Sequence, residues 1–250
     1  MRNQDNFFIY GRKPVEEALL DKAQEIDKIF IKNSINASSY KNLNEAALIN
    51  RVPIVKVPDQ KIHSLVGRVN HQGFVAQVSL IKYLNFFEWI ETLDLASNPA
   101  VILLDGIEDP HNLGAILRSA VAAGISAVLV PTQNQAPVNA TVFKTSAGTA
   151  TKISIIRVHD TKQGFKDLKL AGFSILGLDM SAKETIWESD FEKPIAFLIG
   201  NEGKGIDREL IAKCDQLAML PMERSVESLN ASVTAALISY EWKRKKLAID

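Results

Sequence analysis

The stretch Leu103-Leu104-Asp105-Gly106-Ile107-Glu108-Asp109-Pro110-His111-Asn112-Leu113-Gly114, continuing to Arg118, decides the fold. A buried strand ends at Asp105, a tight turn follows, and Asn112 stands where it could cap a helix. Leu113, Ile116, Leu117, Ala120 and Val121 recur at helical spacing and form one apolar stripe. Arg118 lies off that stripe. Long helical side chains lean toward the helix N-terminus, and Gly114 and Ala115, one turn earlier, leave room. The guanidinium is therefore expected at the strand-end edge. Taken alone, the segment is more simply read as an ordinary cap and a solvated arginine.

Working outward, the pattern repeats. Strands are expected at Val101–Leu104, Ala127–Val130, Ile153–Val158, Ser174–Leu178, Ile195–Ile199 and Leu217–Leu220. Helices are expected at Asn112–Ala123, Thr161–Ala171, Asp207–Lys213 and Ser228–Lys246. Strands alternating with helices predict an α/β fold with a mainly parallel sheet covered on both faces. Such sheets place their sites at the carboxyl ends of the strands. Upstream, short apolar runs at Lys28–Lys32, Ile54–Val57 and Phe74–Leu80 alternate with amphipathic stretches at Lys13–Leu20 and Tyr40–Ile49. The alternation breaks over Ile81–Asn98, apart from a short helix around Phe86–Leu93. The expected organisation is a small α/β domain over 1–80, a linker over 81–98 and a larger α/β domain over 99–250.

Composition narrows the function. The chain has 250 residues and is 46% hydrophobic, enough for real cores and against disorder. Cys214 is the single cysteine, which excludes an internal disulfide and fits a reducing cytoplasm. No apolar run is long enough to span a membrane, and Met1-Arg2-Asn3-Gln4-Asp5-Asn6 leads into only a short apolar stretch, unlike a signal peptide. Net charge is zero, but residues 1–80 hold 11 basic and 8 acidic side chains. If RNA binds, that part makes the first contact. His63, His71, His111 and His159 have no metal-like spacing, so no metal is expected.

Two further strand ends carry polar chemistry. Phe197-Leu198-Ile199-Gly200-Asn201-Glu202-Gly203-Lys204-Gly205-Ile206 puts glycines after a buried strand, where backbone can approach a ligand closely. Its spacing fits neither a dinucleotide fingerprint nor a P-loop, which counts against a nucleotide-dependent enzyme. Leu220-Pro221-Met222 leads to Ser225-Val226-Glu227-Ser228-Leu229-Asn230-Ala231-Ser232. There Ser225 or Ser228 could cap the last helix, and Ser228 and Asn230 offer polar groups at its first turn.

Together the three segments resemble the signature motifs of the SpoU (TrmH-like) family of RNA ribose 2′-O-methyltransferases. They read D-G-x-x-D-P-x-N-L-G-x-x-x-R-[ST], I-G-x-E-G-x-G and L-P-M-x-x-x-x-x-S-L-N-x-S, in this order, over about 150 residues. Ile9-Tyr10-Gly11, Val15-Glu16-Glu17-Ala18-Leu19 and His71-Gln72-Gly73-Phe74 resemble the small N-terminal domain of the branch that modifies a guanosine of 23S rRNA. The resemblance implies an L30e-like RNA-binding domain followed by a SPOUT α/β domain with a deep trefoil knot, a topology that ordinary connection rules would reject. It implies S-adenosylmethionine as donor, held by Gly200, Leu220 and Leu229. It assigns the functional polar positions to Asn112, Arg118, Glu202, Ser228 and Asn230. It also implies a homodimer through the last helix.

The residues supply their own arguments beside the resemblance. Arginine keeps its proton in proteins, so Arg118 fits a grip on the phosphate beside the target ribose better than a general base. Ser228 and Asn230 would orient the arginine or the ribose, and Glu202 would fix the loop or Arg118. The last helix carries two apolar rows, Leu229, Val233, Leu237, Tyr240 and Ala231, Ala235, Ile238, Trp242. One row can pack on the sheet; the other then needs a partner. A tRNA ribose methyltransferase and a non-enzymatic RNA-binding protein are the competing readings. The second leaves three coincident strand-end motifs without a purpose.

Overall fold

A computed structural model describes residues 7–223 and 228–248. The chain divides into two compact units, residues 1–83 with Pro137–Ala140, and Leu84–Ala136 with Thr141–Asp250.

The first unit contains β1 (Phe7–Tyr10), α1 (Arg12–Lys22), β2 (Ile26–Lys32), α2 (Lys41–Ile49), β3 (Ile54–Val57), α3 (Asp59–Val66) and β4 (Phe74–Val78). Its sheet runs in the order β1-β4-β2-β3. β4 is antiparallel to both neighbours, and β2 and β3 are parallel. Alternate β2 residues Ile29 and Ile31 pack with Val15 and Leu19 of α1 and Leu43 of α2. Phe30, on the opposite face, packs with Ile62 of α3. The sequence reading missed β1 and α3, whose short runs carry too little periodicity to stand out.

The second unit contains α4 (Phe86–Ile90), β5 (Ala100–Asp105), α5 (Pro110–Ala123), β6 (Ala127–Pro131), α6 (Ala140–Thr145), β7 (Ser154–Val158), α7 (Thr161–Leu170), β8 (Ser174–Leu178), β9 (Glu184–Thr185), β10 (Ile195–Gly200), α8 (Arg208–Ile211), β11 (Gln216–Met219) and α9 (Ala231–Leu247). Its strands form one seven-stranded sheet in the order β7-β6-β5-β10-β8-β11-β9, with every pairing parallel. Val101 to Leu104 are all 0% exposed, so both faces of β5 are covered. Val101 and Leu103 pack with Phe165 and Leu168 of α7. Ile102 and Leu104 point to the other face, where α5 and α9 pack on each other and on the sheet.

Residues 84–98 are not a linker. Phe86 and Trp89 are buried in the same core as Leu103, Leu129 and Phe165, and Leu84, Ile90, Leu93 and Leu95 pack against it. The alternation breaks there because the segment holds only two short helical turns, Phe86–Ile90 capped by Asn85 and Leu95–Ser97 capped by Asp94. Two caps also differ from expectation. Asp109 caps α5, accepting from the His111 amide at 2.8 Å, and Pro110 opens the helix with its fixed φ. Asn112 sits inside the first turn with its amide free for other partners. Asn230 caps α9, accepting from the Ser232 amide at 2.9 Å. Ser228 precedes that cap, and Ser225 lies outside the described residues. Gly114 serves α6 rather than Arg118. A Cβ there would sit 1.8 Å from Thr145 Oγ1, and sequence reading placed no helix at 140–145.

Trp89 separates the two descriptions of residues 84–98. Trp89→Ala should cost about 3–5 kcal/mol of stability, as for a large core residue, seen as a lower urea midpoint. A change within about 0.5 kcal/mol would be the behaviour of a surface linker.

Candidate active site

Two cavities lie along the carboxyl edge of the seven-stranded sheet. One, of about 370 Å³, opens at the ends of β8, β10 and β11. Gly200, Leu220 and Leu229, the residues expected to hold a cofactor, all line it, as does Ser228. Met180, Met219 and Met222 give it polarisable apolar walls. Asp179 and Ser181 add polar groups, and the Asp179 carboxylate accepts from the Ser181 amide at 2.8 Å. β8 ends in this cavity through Leu178, Asp179 and Met180, yet no motif marked that strand end.

The walls meet on one carboxylate. Glu202 Oε1 accepts from Asn112 Nδ2 at 2.9 Å and from the Ala231 amide at 3.1 Å. Asn230 Nδ2 donates to that oxygen at 2.5 Å and to Asn112 Oδ1 at 2.9 Å. Asn230 Oδ1 meanwhile caps α9. The structure thus joins three of the five expected polar residues, one from each motif. It leaves Arg118 apart. That side chain is exposed on α5, takes no hydrogen-bond or ion-pair partner among the described residues, and lines neither cavity.

Backbone geometry explains the glycines. A Cβ on Gly200 would lie 2.4 to 2.6 Å from the backbone of Gly205 and Ile206. Its absence lets the loop after β10 fold back on itself, closed by the Gly205 amide on the Asn201 carbonyl at 2.8 Å. The constraint falls on the loop, not on the cavity contents. Gly106 has φ 77, and its carbonyl accepts from Asn201 Nδ2 at 2.8 Å, tying the β5 turn to the β10 loop.

Residues 99–240 match the SpoU rRNA Methylase family. Residues 8–84 match the RNA 2′-O ribose methyltransferase substrate-binding family. The chain belongs to the SpoU rRNA methylase family. It is 32% identical over 248 residues to the 23S rRNA (guanosine-2′-O-)-methyltransferase RlmB of Xylella fastidiosa, covering 99% of this chain and 100% of that protein. Its fold is similar to that of an AdoMet-bound rRNA methyltransferase from Sinorhizobium meliloti, with TM-score 0.61 and 22% identity over 96% of this chain and 87% of that one. It is also similar to the TrmH/SpoU tRNA modifying enzyme of A. aeolicus, with TM-score 0.56 and 24% identity, over 66% of this chain and 83% of that one.

Other reactive groups are committed elsewhere. Burial pushes the Cys214 thiol up to about 11, which keeps it protonated and unreactive. In the first unit, Asp59, His63 and His71 lie close enough together to hold a cation. Histidine and cysteine spacing does not announce this group, because one member is a carboxylate and His71 follows α3 on a separate loop. His71 Nδ1 accepts the Gly73 amide at 3.0 Å, which leaves the ring proton on Nε2 and removes that lone pair from a cation's reach. Among the described residues no helix is long and apolar enough to cross a membrane.

The carboxylate network should behave as one unit. In a double-mutant cycle, Glu202→Ala and Asn230→Ala should couple by about 0.5–3 kcal/mol in urea stability. Simple additivity would mean that the contact carries nothing. Gly200→Ala should lower both the melting temperature and donor affinity by calorimetry, because it displaces the loop itself.

Proposed function

We propose that this chain transfers a methyl group from S-adenosylmethionine to the ribose 2′-hydroxyl of a guanosine in 23S rRNA. The observation that carries the reading is the Asn112–Glu202–Asn230 network beside a cavity at three adjacent strand ends. The cavity suits the donor: apolar walls for an adenine, and Asp179, Ser181 and Ser228 for its polar groups. The sulfonium supplies an electrophilic methyl, so the protein's task is to position and polarise. Gly200, Leu220 and Leu229 hold the donor. Asn112, Glu202 and Asn230 fix the cavity wall against the ribose. Arg118, whose guanidinium is uncommitted, grips the neighbouring phosphate and stabilises developing alkoxide charge. Ser228 orients the ribose or the arginine.

The first unit is the RNA-binding domain, of L30e-like fold, and matches a substrate-binding family over residues 8–84. An rRNA substrate is favoured over tRNA because the relative named for 23S rRNA aligns along the whole chain, whereas the tRNA enzyme's fold aligns along 66% of it. The family's deep trefoil knot is assigned to the loops after β10 and β11. Its support is a sheet order in which both strands return beside earlier ones. A homodimer forms through α9. Ala231, Ala235, Ile238 and Trp242 are buried, while Val233, Leu237 and Tyr240 stay 36% to 49% exposed as a second apolar row. The enzyme works in the cytoplasm, where its RNA is.

Mapping 2′-O-methyl groups in RNA from cells with and without the protein tests the substrate. A lost 23S rRNA mark is expected, and a lost tRNA mark instead would overturn the rRNA assignment. Arg118→Ala should cut methylation ~100-fold or more with donor binding intact. Arg118→Lys should also fail, since a point charge does not replace a planar fork. Near-normal turnover at saturating RNA would sink the role. Leu237→Glu should give a monomer by sedimentation; an unchanged sedimentation coefficient, whether monomeric or dimeric, would remove α9 from the interface.

A further inference from the structure

The second cavity on the carboxyl edge, of about 520 Å³, opens at the ends of β5, β6, β7 and β10. Asn201 and Gly205 line both cavities, so a single loop separates this one from the proposed donor site. A nucleotide whose ribose faces the donor across that loop can place its base here. The volume falls within the range of small-ligand pockets.

Hydrogen bonds sort the charged groups that line it. Asp105 accepts from Thr161 Oγ1 at 2.8 Å and from the Asp207 amide at 3.0 Å. Asp160 accepts from the Gln163 amide at 2.7 Å and pairs with His159 at 2.9 Å. Asp207 accepts from the Glu209 amide at 2.8 Å and pairs with Lys162 at 3.4 Å, and Lys162 also pairs with Glu209 at 2.5 Å. These four groups hold the cavity's shape. Glu108, Lys204 and Arg208 are exposed, and their side chains take no hydrogen-bond or ion-pair partner among the described residues. The free groups are therefore one carboxylate and two cations.

That set matches one ligand chemistry. Three fixed carboxylates disfavour a bare phosphate inside the cavity. A free carboxylate accepts two hydrogen bonds side by side, and guanine offers two adjacent donors, N1–H and the N2 amino group, on its Watson–Crick edge. Unstacked RNA bases are commonly read on that edge. The two free cations suit phosphates at the rim. We propose that this cavity receives the guanine of the target nucleotide, with Glu108 accepting from N1–H and N2–H and with Lys204 and Arg208 holding the flanking phosphates. The proposal rests on the functional reading above.

The test uses the full chain and 23S rRNA fragments carrying guanosine or inosine at the methylated position. Inosine lacks only the N2 amino group. The wild-type chain should prefer guanosine by about 10- to 100-fold in kcat/KM, the worth of a hydrogen bond to a charged group. Glu108→Ala should bring the two RNAs to near parity, with donor affinity by calorimetry unchanged. Lys204→Ala and Arg208→Ala should raise KM for both RNAs and flatten its salt dependence. A Glu108→Ala chain that keeps the wild-type preference overturns the proposal. So does a wild-type chain that uses both RNAs equally, which leaves the functional reading standing. A wild-type chain that methylates neither overturns the functional reading and this proposal with it.

Discussion

Glu202 Oε1 receives hydrogen bonds from Asn112, Asn230 and the Ala231 amide. The first turn of α5, the loop after β10 and the start of α9 therefore meet on one oxygen. These segments are 90 and 28 residues from Glu202 along the chain, so nothing local brings them together. The parallel sheet does. β5 and β10 are adjacent and in register from Ala100/Ile195 to Asp105/Gly200, which delivers both motifs to the same edge at the same height. The carboxylate then fixes what the register only approximates. Because the network is exposed, loss of one member rehydrates the others, and the expected penalty is that of a solvated hydrogen bond to a charged group rather than of an orphaned buried carboxylate.

The same edge explains why there are two cavities rather than one. The loop after β10 turns sharply, since Gly200 has no Cβ to strike Gly205, and stands up as a partition. Asn201 anchors the partition to the β5 turn through the Gly106 carbonyl, and its Oδ1 accepts the Gly203 amide at 2.9 Å. Three methionines and other apolar side chains dominate one side of it, with Asp179 and Glu202 among them; most of the ionic groups face the other. On the proposed reading, a donor with a flat apolar ring and an RNA with charged phosphates need different surroundings, and the two sides of one short loop differ in that sense.

The legible parts of the sequence were those where period and chemistry agree. β8 was read at its observed bounds, and α5 within two residues, because a buried parallel strand or an amphipathic helix leaves a strong pattern. Residues 84–98 show no period, because two short helical turns cannot establish one, although Phe86 and Trp89 signal burial by composition. The cap of α5 was misassigned because Asp109-Pro110 and Asn112 are both good N-terminal chemistry, and only the three-dimensional partner of Asn112 separates them. The role of Gly114 could not be seen at all, since Thr145 is distant in sequence. In the site, Gly200, Leu220 and Leu229 were placed on one cavity by motif alone. Asp179 and the second cavity had no motif to announce them, because loop ends are positioned by the sheet and not by their own sequence.

What separates building groups from acting groups here is whether the protein already satisfies them. Asp105, Asp160, Asp207 and Glu202 each have hydrogen-bond partners, and each holds a turn or a helix start in place. The side chains of Arg118, Glu108, Lys204 and Arg208 have none among the described residues and face solvent. Exposure makes that freedom inexpensive, since water solvates each charge until a ligand arrives. A group already paired would have to break a bond before it could bind RNA, whereas a free one only exchanges water. The satisfied carboxylates thus set the geometry, and on the proposed reading the unsatisfied charges are the groups left free to engage RNA, whose surface is itself charged and wet.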